Sequence, residues 1–368
     1  MKVLINSGLV IPVFDKRDKL IDSMKELNCE VTISGYQKEG KETCEKHSVN
    51  YRFIPLSRAG LNPIKDIKSI ISYYKLIKKE KYDIVHSYTA KPNIYGSIGA
   101  RLAGVKNVYP TINGLGYAFT GNSFKNKIVR FITCILYKLA FSCSKKVFFQ
   151  NIDDANEMIR RHIIKKDKCV VISGSGIDLD EFSYSEVKNT KTFLFASRLL
   201  KTKGIEQFLE ASKIIKEYDN QAEFLIAGAL DEENPDGIKK TDLDYYIENN
   251  YVKYLGKVSD MPNLMKDCGI FVLPSYYREG VPHAILEAMS TGRCIITTDS
   301  PGCRETVNNK NGFLIEPKNT NQLVEKMKYI IDHEKEMKEM CVESRKYAEN
   351  RFAVQIINND LLTNMNIK

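Results

Sequence analysis

The sequence predicts an α/β protein with two doubly wound parallel sheets, and three features of the chain support this. Short apolar runs rich in β-branched residues alternate with longer amphipathic stretches, as in sheets that helices cover on both faces. This series occurs twice along the chain. The length of 368 residues is too great for one ordinary core and favours two domains of roughly 150–190 residues each.

Thirteen apolar runs are the predicted strands, seven in the first half of the chain and six in the second. They cover residues 3–5, 31–33, 51–54, 84–86, 107–111, 147–150, 170–172, 193–196, 223–227, 252–255, 270–273, 294–297 and 312–315. Patterns with helical period lie between them, for example at residues 16–27, 66–79, 204–217, 262–266, 284–290 and 320–334.

The two domains are expected to join within residues 176–191, where the chain becomes polar. We therefore assign residues 1–180 to the first domain and residues 181–347 to the second. The tail, residues 348–368, follows the last helical pattern. We expect it to be a helix that returns to the first domain.

Composition excludes several classes of protein. With 43% hydrophobic and 27% charged residues and no low-complexity tract, the chain is neither disordered nor fibrous. Its nine cysteines are scattered without a Cys-x-x-Cys pair, which favours a reducing compartment and hence the cytoplasm. The first apolar run is short and leads into FDKRDK, so we predict a buried strand there rather than a signal peptide.

Positive charge is concentrated in the first half. Residues 1–184 contain 30 Lys and Arg against 18 Asp and Glu, a net charge of +12, whereas the remainder has 25 against 28, a net charge of −3. An anionic partner is therefore expected for the first half: nucleic acid, a phospholipid surface or a phosphorylated substrate. Solvated faces rich in ion pairs are the alternative.

Residues 125–149 combine apolar side chains with six Lys and Arg. The longest charge-free stretch in this segment, residues 131–137, is too short to cross a bilayer. An amphipathic helix lying on an anionic membrane surface fits this pattern. A core helix whose lysines extend to solvent fits it equally well.

The strongest candidate site is the stretch PSYYREGVPHAILEAM at residues 274–289, directly after a predicted strand. Gly280 and Pro282 favour a tight turn before a helix, whose first N–H groups can hold phosphate or sugar oxygens. Glu279 before the turn and Glu287 within the helix can accept hydrogen bonds from ligand hydroxyls. On this spacing alone, two surface glutamates on a capped helix are the alternative.

Two cations, Arg198 and Lys203, flank the turn that follows another predicted strand, in SRLLKTKG. Such a pair would neutralise a diphosphate and stabilise it as a leaving group, and a solvated loop is the alternative. Further predicted strands end near residues 228 and 256. Because the carboxyl ends of parallel strands meet at one edge, we expect the ends at 198, 228, 256 and 279 to face one crevice.

With these motifs the chain resembles the family 4 glycosyltransferases of the GT-B fold. The resemblance covers essentially the whole chain and is strongest over residues 193–316, where SRLLKTKG, AGALDEENPDG, YLGKVSDM, LPSYYREGVPHAILEAM and NGFLIEP occur in the family's order. It implies two Rossmann-like domains facing across a cleft. The looser N-terminal pieces, such as TINGLGYAFTG, are similar to those of enzymes that build O-antigen, capsule and N-glycan precursors on polyprenyl diphosphate, including hexosaminyltransferases with UDP-linked donors.

The resemblance implies a retaining transfer of an N-acetylhexosamine, with N-acetylgalactosamine expected, from a UDP-sugar to a polyprenyl-diphosphate-linked saccharide. No cofactor and no metal are expected. The donor would bind the second domain and the acceptor the basic first domain, with the protein peripheral on the inner face of the cell membrane. Nucleic acid is not an expected partner, since no known aromatic-basic module occurs in the sequence.

The resemblance also implies roles for single residues. Arg198 and Lys203 would bind the donor diphosphate, and Glu279, the third member of the catalytic group, would contact the transferred sugar. Glu287 would bind the ribose hydroxyls. The remaining donor contacts would come from the turn beside Glu279, the turn at the uracil and the first N-terminal loop, namely Gly280, Val281, Pro282, Gly256, Val258 and Gly8.

One position departs from the family pattern. Many members have a histidine in the loop that here reads TINGLGY, whereas this chain has Asn113. Asparagine can hydrogen-bond a sugar hydroxyl but cannot serve as a general base at pH 7. His86, at a predicted strand end, is a second candidate contact of the acceptor or the sugar, and a buried strand-end histidine is the alternative.

Two other classes of protein remain as alternatives: a sugar-nucleotide epimerase of the same fold and a non-catalytic GT-B scaffold subunit. The epimerase would need acid–base side chains, and the first-domain loops offer few. The scaffold would be expected to lack Arg198, Lys203 or Glu279, and all three are present. Two Asp-x-Asp pairs, at 178–180 and 242–244, lie in the linker and at a polar helix start and are not expected to bind a metal.

Overall fold

The computed structural model describes residues 1–37, 39–56, 62–120 and 123–367 of the chain, which forms two compact units. Unit 1 comprises Met1–Ser175 and the chain from Gln355 onward, and unit 2 comprises Gly176–Val354. Both boundaries differ by a few residues from those predicted, so residues 176–180 and 348–354 belong to unit 2. The reason is that Ile177 N–H donates to the Phe352 carbonyl oxygen at 2.8 Å, which ties these segments together.

Unit 1 is built on a parallel seven-stranded sheet with the order β3-β2-β1-β4-β5-β6-β7. Its strands are β1 Lys2–Asn6, β2 Glu30–Gly35, β3 Asn50–Phe53, β4 Ile84–Tyr88, β5 Asn107–Ile112, β6 Val147–Phe149 and β7 Cys169–Val171. Its helices before the linker are α1 Ile11–Glu26, α2 Gly40–Lys46, α3 Pro63–Glu80, α4 Ser97–Leu102, α5 Phe124–Ser142 and α6 Ile152–Arg160.

Unit 2 is built on a parallel six-stranded sheet with the order β10-β9-β8-β11-β12-β13. Its strands are β8 Thr192–Ala196, β9 Glu223–Ala227, β10 Lys253–Gly256, β11 Ile270–Leu273, β12 Cys294–Thr298 and β13 Gly312–Ile315. Its helices are α7 Ile205–Tyr218, α8 Lys240–Glu248, α9 Met261–Lys266, α10 His283–Thr291, α11 Thr320–Asp332 and α12 Glu334–Tyr347. The last helix of the chain, α13 Val354–Asn364, returns to unit 1.

Helices cover both faces of the unit 1 sheet, as strands that are apolar on both sides require. One core contains side chains from α3, α4, α5 and the α6 region. The core on the other face contains side chains from α1, α2 and α13. The helices that cover one face of the unit 1 sheet are therefore a different set from those that cover the other face.

All thirteen predicted strands are confirmed, with ends shifted by no more than two residues. The helices predicted between them are confirmed as well, with one correction. Residues 320–334 comprise the whole of α11 and the first residue of α12, because His333 leaves helical conformation with φ −123° and ψ 55°. Local periodicity was therefore a sufficient guide to the elements of both sheets.

The segment 125–149 is divided between α5 and the buried strand β6. On one face of α5, Tyr137, Ala140 and Phe141 enter the core, while the opposite face leaves large apolar side chains in solvent. The interpretation as a core helix is therefore confirmed for the inner face of α5, and it does not account for the exposed apolar side chains of the opposite face. None of the helices in the described residues combines the length with the apolar composition that a membrane span requires.

Candidate active site

The candidate site of unit 2 lies where the order of its strands reverses. β8 leads to β9 and β10 on one side, whereas β11 pairs with β8 on the other. Connections that leave two such neighbouring strands run to opposite sides, and this opens a crevice at the carboxyl edge of the sheet. We call residues 197–204, which follow β8, loop A, and residues 274–282, which follow β11, loop B.

Backbone contacts hold the two loops together. The N–H groups of Tyr276 and Tyr277 donate to the Thr202 carbonyl oxygen at 2.9 and 3.1 Å. Gly204 has φ +82°, and a Cβ at this position would lie 2.3 Å from the Pro274 carbonyl oxygen. Glycine is therefore required here, both for its left-handed backbone and for the close approach of loop A to the end of β11.

An ion pair joins the loops at their centre. Lys203 Nζ lies 2.6 Å from Glu279 Oε2, and only 14% and 13% of the two side chains are exposed. The other carboxylate oxygen, Glu279 Oε1, accepts a hydrogen bond of 2.6 Å from Ser275 Oγ. Both oxygens of Glu279 are thus engaged, and these charge-assisted contacts fix the position of the carboxylate.

This arrangement can hold a phosphate and a polyol side by side. Lys203 and Glu279 compensate each other's charge where little water has access. An anion that binds beside Lys203 competes with Glu279 for the ammonium group. The carboxylate then becomes available to hydroxyl donors, which it accepts well.

The segment after β12 supports loop B. Gly302 has φ +81°, and a Cβ there would lie 1.4 Å from the Gly280 carbonyl oxygen. Thr298 Oγ1 donates to the Ser275 carbonyl oxygen. Burial, with a contribution from the Glu279 charge, raises the pKa of the neighbouring Cys303 thiol to about 11, so this thiol stays protonated. Loop B therefore packs closely against the segment after β12, and the Cys303 thiol adds no charge at this contact.

The start of α10 carries the second glutamate. Gly280, Val281 and Pro282 are buried and lead into the helix, which begins at His283. Glu287 lies one turn later, with its Oε1 at 2.8 Å from His283 Nδ1. A carboxylate has about four acceptor positions, so Glu287 can accept a ligand hydroxyl while it keeps this contact.

Loop A also contacts the end of β9, which in turn contacts the end of β10. Gly228 N–H donates to the Gly256 carbonyl oxygen at 2.8 Å, and a Cβ on Gly228 would lie 1.8 Å from the Ser197 carbonyl oxygen. Arg198, next to Ser197, is exposed, and Val258 is half-buried. The structure thus brings the strand ends at 198, 228, 256 and 279 to one edge of unit 2, as the sequence predicts.

The corresponding switch point of unit 1 lies between β1 and β4. Gly8 follows β1, and a Cβ there would lie 3.6 Å from Thr89 Oγ1, just after β4. Asn113 follows β5 at the same edge of the sheet and is exposed. Two of the predicted N-terminal residues are therefore placed where a ligand of a parallel sheet would lie.

His86 is placed elsewhere, in the core of unit 1. Its ring is fully buried and lies 4.5 Å from the ring of Tyr88 and 5.9 Å from that of Phe148. Burial, together with the charge of Arg17, lowers the pKa of His86 to about 3, so the imidazole is neutral. A ring without exposed surface contradicts the hypothesis that His86 contacts the acceptor or the sugar.

Three supporting residues were not predicted from the sequence. Ser275 had a recognisable signal, a hydroxyl directly after a strand and one helical turn from Glu279. Thr202 and Asp236 had none, because they come from different loops. Thr202 Oγ1 donates to Asp236 Oδ2, and Lys201 N–H donates to the Asp236 carbonyl oxygen at 2.7 Å, so Asp236 fixes the turn of loop A.

Two family descriptions match this chain: "Glycosyl transferases group 1" over residues 177–351 and "Glycosyl transferase 4-like" over residues 16–151. One curated relative is the N,N'-diacetylbacillosaminyl-diphospho-undecaprenol alpha-1,3-N-acetylgalactosaminyltransferase of Campylobacter jejuni. It is 30% identical over 338 residues, which is 88% of this chain and 87% of the relative. The UDP-Gal:alpha-D-GlcNAc-diphosphoundecaprenol alpha-1,3-galactosyltransferase of Escherichia coli is 36% identical over 289 residues, 73% and 71% of the two chains.

A solved structure covers the whole chain. The crystal structure of Anabaena Alr3699/HepE in complex with UDP superposes with a TM-score of 0.81 and 19% sequence identity, over 100% of both chains. At this identity the likeness shows that the two proteins share a fold.

Proposed function

Since this chain belongs to the family 4 glycosyltransferases and has their GT-B fold, we propose that it transfers an N-acetylhexosamine from a UDP-sugar to a saccharide on polyprenyl diphosphate. Both curated relatives are named for acceptors on undecaprenyl diphosphate, and they differ in the sugar named. The acceptor class is thus supported by both relatives, and N-acetylgalactosamine as the sugar by one. The product belongs to a surface polysaccharide or a glycoprotein glycan.

The junction of loops A and B is the observation that carries this proposal. Lys203 and Glu279 meet there at 2.6 Å, and Arg198 lies at the start of the same loop A. We assign the donor diphosphate to Lys203 and Arg198, the transferred sugar to Glu279 and the ribose to Glu287. The turn from Gly256 to Val258, which begins at the same sheet edge, is assigned to the uracil.

Charge stabilisation is the main contribution of these side chains to the reaction. As the bond between the sugar and the β-phosphate breaks, negative charge grows on the phosphate, and Lys203 and Arg198 neutralise it. The acceptor hydroxyl attacks from the face that the phosphate leaves, and a phosphate oxygen takes its proton, so the configuration is retained. Asn113 can orient a hydroxyl in this scheme, which needs positioning rather than a side-chain base or a metal.

The ion pair couples donor binding to sugar recognition. In the absence of donor, Lys203 and Ser275 occupy both oxygens of Glu279. The diphosphate draws Lys203 towards itself, and Glu279 then exchanges an ammonium contact for sugar hydroxyls. A carboxylate that is already held in position loses little further freedom when the sugar arrives.

We also assign to α5 a contact with the anionic inner face of the cell membrane. Its solvent-facing side carries a row of apolar residues, Phe124, Ile128, Phe131, Ile132, Ile135 and Leu139. A groove of about 490 Å³ beside this row is lined by four cations, Lys127, Arg130, Lys138 and Arg161. No Asp or Glu occurs from residue 84 to residue 152, so this stretch of chain offers no negative charge to repel anionic head groups.

Thermal-shift measurements against UDP, GDP, ADP and their sugar conjugates, without added metal, test the donor. A ligand that binds only the folded state raises the melting temperature. We expect a rise with UDP and a larger rise with one UDP-N-acetylhexosamine. No response to any nucleotide would contradict the proposal and favour a non-catalytic subunit.

Product analysis by mass spectrometry tests the reaction. The protein is incubated with that UDP-sugar and a synthetic polyprenyl-diphosphate saccharide, and we expect an acceptor larger by one sugar together with free UDP. Conversion of the UDP-sugar into an isomer without any acceptor would instead identify an epimerase.

A further inference from the structure

α3 carries a second row of exposed apolar side chains. Ile64, Ile67, Ile71 and Tyr74 follow one another at spacings of three or four residues, so they share one face of the helix. Ile64 and Ile67 expose 69% and 57% of their surface, comparable with 68% for Phe131 of α5. A continuous apolar row in solvent marks a contact surface, whereas scattered single residues do not.

Exposed lysines accompany this row on the same helix: Lys65, Lys68, Lys75, Lys78 and Lys79. The two acids of α3 are each engaged by a cation from another element. Asp66 lies 3.2 Å from Lys91, and Glu80 lies 2.5 Å from Arg52. The solvent-facing side of α3 is therefore both apolar and strongly positive.

α3 and α5 belong to the same helix layer. Tyr73 and Ile77 of α3 enter the same core as Tyr137 and Phe141 of α5, on one face of the unit 1 sheet. α4 lies between the two helices and packs against both. Because each helix buries one side against the sheet, its opposite side points away from the sheet, and the two apolar rows face outward from a common layer.

We propose that α3 is a second membrane-contact helix, and that α3 and α5 together dock unit 1 on an anionic phospholipid bilayer. This inference rests on the membrane contact proposed for α5. The apolar rows enter the boundary between head groups and acyl chains, and the lysines of α3 reach lipid phosphates. One amphipathic helix can roll about its axis on a membrane, whereas two helices of one layer fix the orientation of the sheet.

A bilayer suits this surface better than a protein partner does. The two rows are separated by α4 and flanked by cations along their length. A flat bilayer can contact both apolar rows at once, and its anionic head groups can neutralise cations at any position along the two helices. A protein partner would need two apolar grooves with matching carboxylates.

The absence of tryptophan from the chain permits a direct test. Tyr74→Trp on α3 and Phe131→Trp on α5 each introduce a single fluorophore at an exposed position. Ile356→Trp on α13 is the matched control, because α13 packs on the opposite face of the same sheet. The vesicles contain phosphatidylglycerol and phosphatidylcholine brominated in its acyl chains. We expect blue-shifted, bromine-quenched emission from both test variants and unchanged emission from the control.

Three other outcomes of the fluorescence experiment would each contradict a different part of the proposal. Quenching of Phe131→Trp alone overturns the role of α3 and leaves the contact of α5 in place. Quenching of neither variant overturns the membrane contact as a whole. Equal quenching of Ile356→Trp overturns the oriented docking. The thermal shift of the same variants with UDP shows separately whether the donor site is intact.

A second experiment measures the contribution of the α3 row. The triple variant Ile64→Ser, Ile67→Ser and Ile71→Ser should partition into the same vesicles roughly tenfold or more weakly, with an unchanged response to UDP. The control removes three exposed apolar side chains of unit 2, namely Ile214, Tyr245 and Val342. Unchanged partition of the α3 variant, or an equal loss in the control, overturns the proposal.

Discussion

The sheets of units 1 and 2 are wound alike, but the side chains at their switch points differ in kind. Between β8 and β11 of unit 2 stands the ion pair of Lys203 and Glu279. Between β1 and β4 of unit 1 the side chains that join the strands are uncharged: Asn6 Nδ2 donates to Ser87 Oγ at 3.1 Å, and Ser34 Oγ donates to Asn6 Oδ1 at 2.7 Å. A buried cation, Arg17, lies nearby, with its guanidinium 4.8 Å from the centre of the Tyr88 ring. The switch point of unit 2 thus has a pair of opposite charges at its centre, whereas that of unit 1 has small polar groups.

The comparison shows that the net charge of a domain does not locate its chemistry. The half of the chain with a charge of +12 joins β1 to its neighbours β2 and β4 through uncharged side chains and carries exposed cations on α3 and α5. The half with a charge of −3 holds the lysine that we assign to the diphosphate. Charge on a helix surface acts over a broad area, whereas a buried pair acts at one point.

Removal of the charge on Glu279 removes the ion pair that distinguishes unit 2 from unit 1, and it has the largest expected effect. Glu279→Gln keeps the shape of the side chain but loses its charge, so turnover should fall roughly 100- to 1,000-fold. UDP affinity should not fall, because Lys203 loses an internal competitor for the diphosphate. Steady-state kinetics and UDP titration calorimetry measure the two quantities.

The control for this substitution is Glu206→Gln. Glu206 also pairs with a lysine of loop A, Lys201, at 3.1 Å, but both side chains are nearly half exposed. We expect its turnover to be unchanged. Equal losses of turnover and UDP affinity in Glu279→Gln would show that Glu279 does not act on the sugar.

Gly302→Ala tests the support of loop B. The new Cβ would lie 1.4 Å from the Gly280 carbonyl oxygen at a residue with φ +81°, so the free energy of unfolding should fall by about 2–3 kcal/mol. Gly104→Ala in unit 1 is the matched control, since Gly104 has φ +95° but open space around it. Backbone strain alone should cost the control about 1 kcal/mol. Equal losses in urea denaturation would mean that the contact with Gly280 does not constrain loop B.

His86→Phe tests whether the core of unit 1 holds His86 in its neutral form. The pKa of His86 is about 3 in the folded protein, so below about pH 6.5 the unfolded chain binds a proton that the folded chain does not. Stability contributed through His86 is therefore lost as the pH falls, by about 2 kcal/mol between pH 7.5 and pH 5. Urea denaturation at both values should show a smaller decline for His86→Phe than for the natural protein. An identical decline in the two proteins would show that His86 is not buried neutral.

Ser275→Ala has the smallest expected effect. It removes one charge-assisted hydrogen bond of 2.6 Å to Glu279, and turnover should fall by roughly tenfold while the KM for the donor changes little. Ser290→Ala is the control, because Ser290 Oγ is also buried but donates to the Phe182 carbonyl oxygen at 2.6 Å. A similar fall in turnover for Ser290→Ala would attribute both effects to general loss of stability.

Prediction from the sequence was most successful for features that a short-range pattern of residues determines. Each strand in the part of the chain that the structure describes was predicted, because the strands of a parallel sheet covered by helices are mostly short apolar runs. Arg198, Lys203 and Glu279 were placed at one sheet edge, because chain order and parallel pairing together determine where strands end. His86 was misjudged as a ligand contact, since a strand-end position does not reveal what packs over it.

The sequence by itself determined that this protein makes two parallel sheets and which loops carry its candidate chemistry. Both follow from periodicity and from the order of motifs along the chain. Only the tertiary structure decided that Lys203 and Ser275 hold Glu279, that His86 is sealed in the core, and that α3 and α5 share one exposed layer. These features depend on which distant segments pack against each other, and burial of that kind is a property of the folded chain rather than of any local pattern.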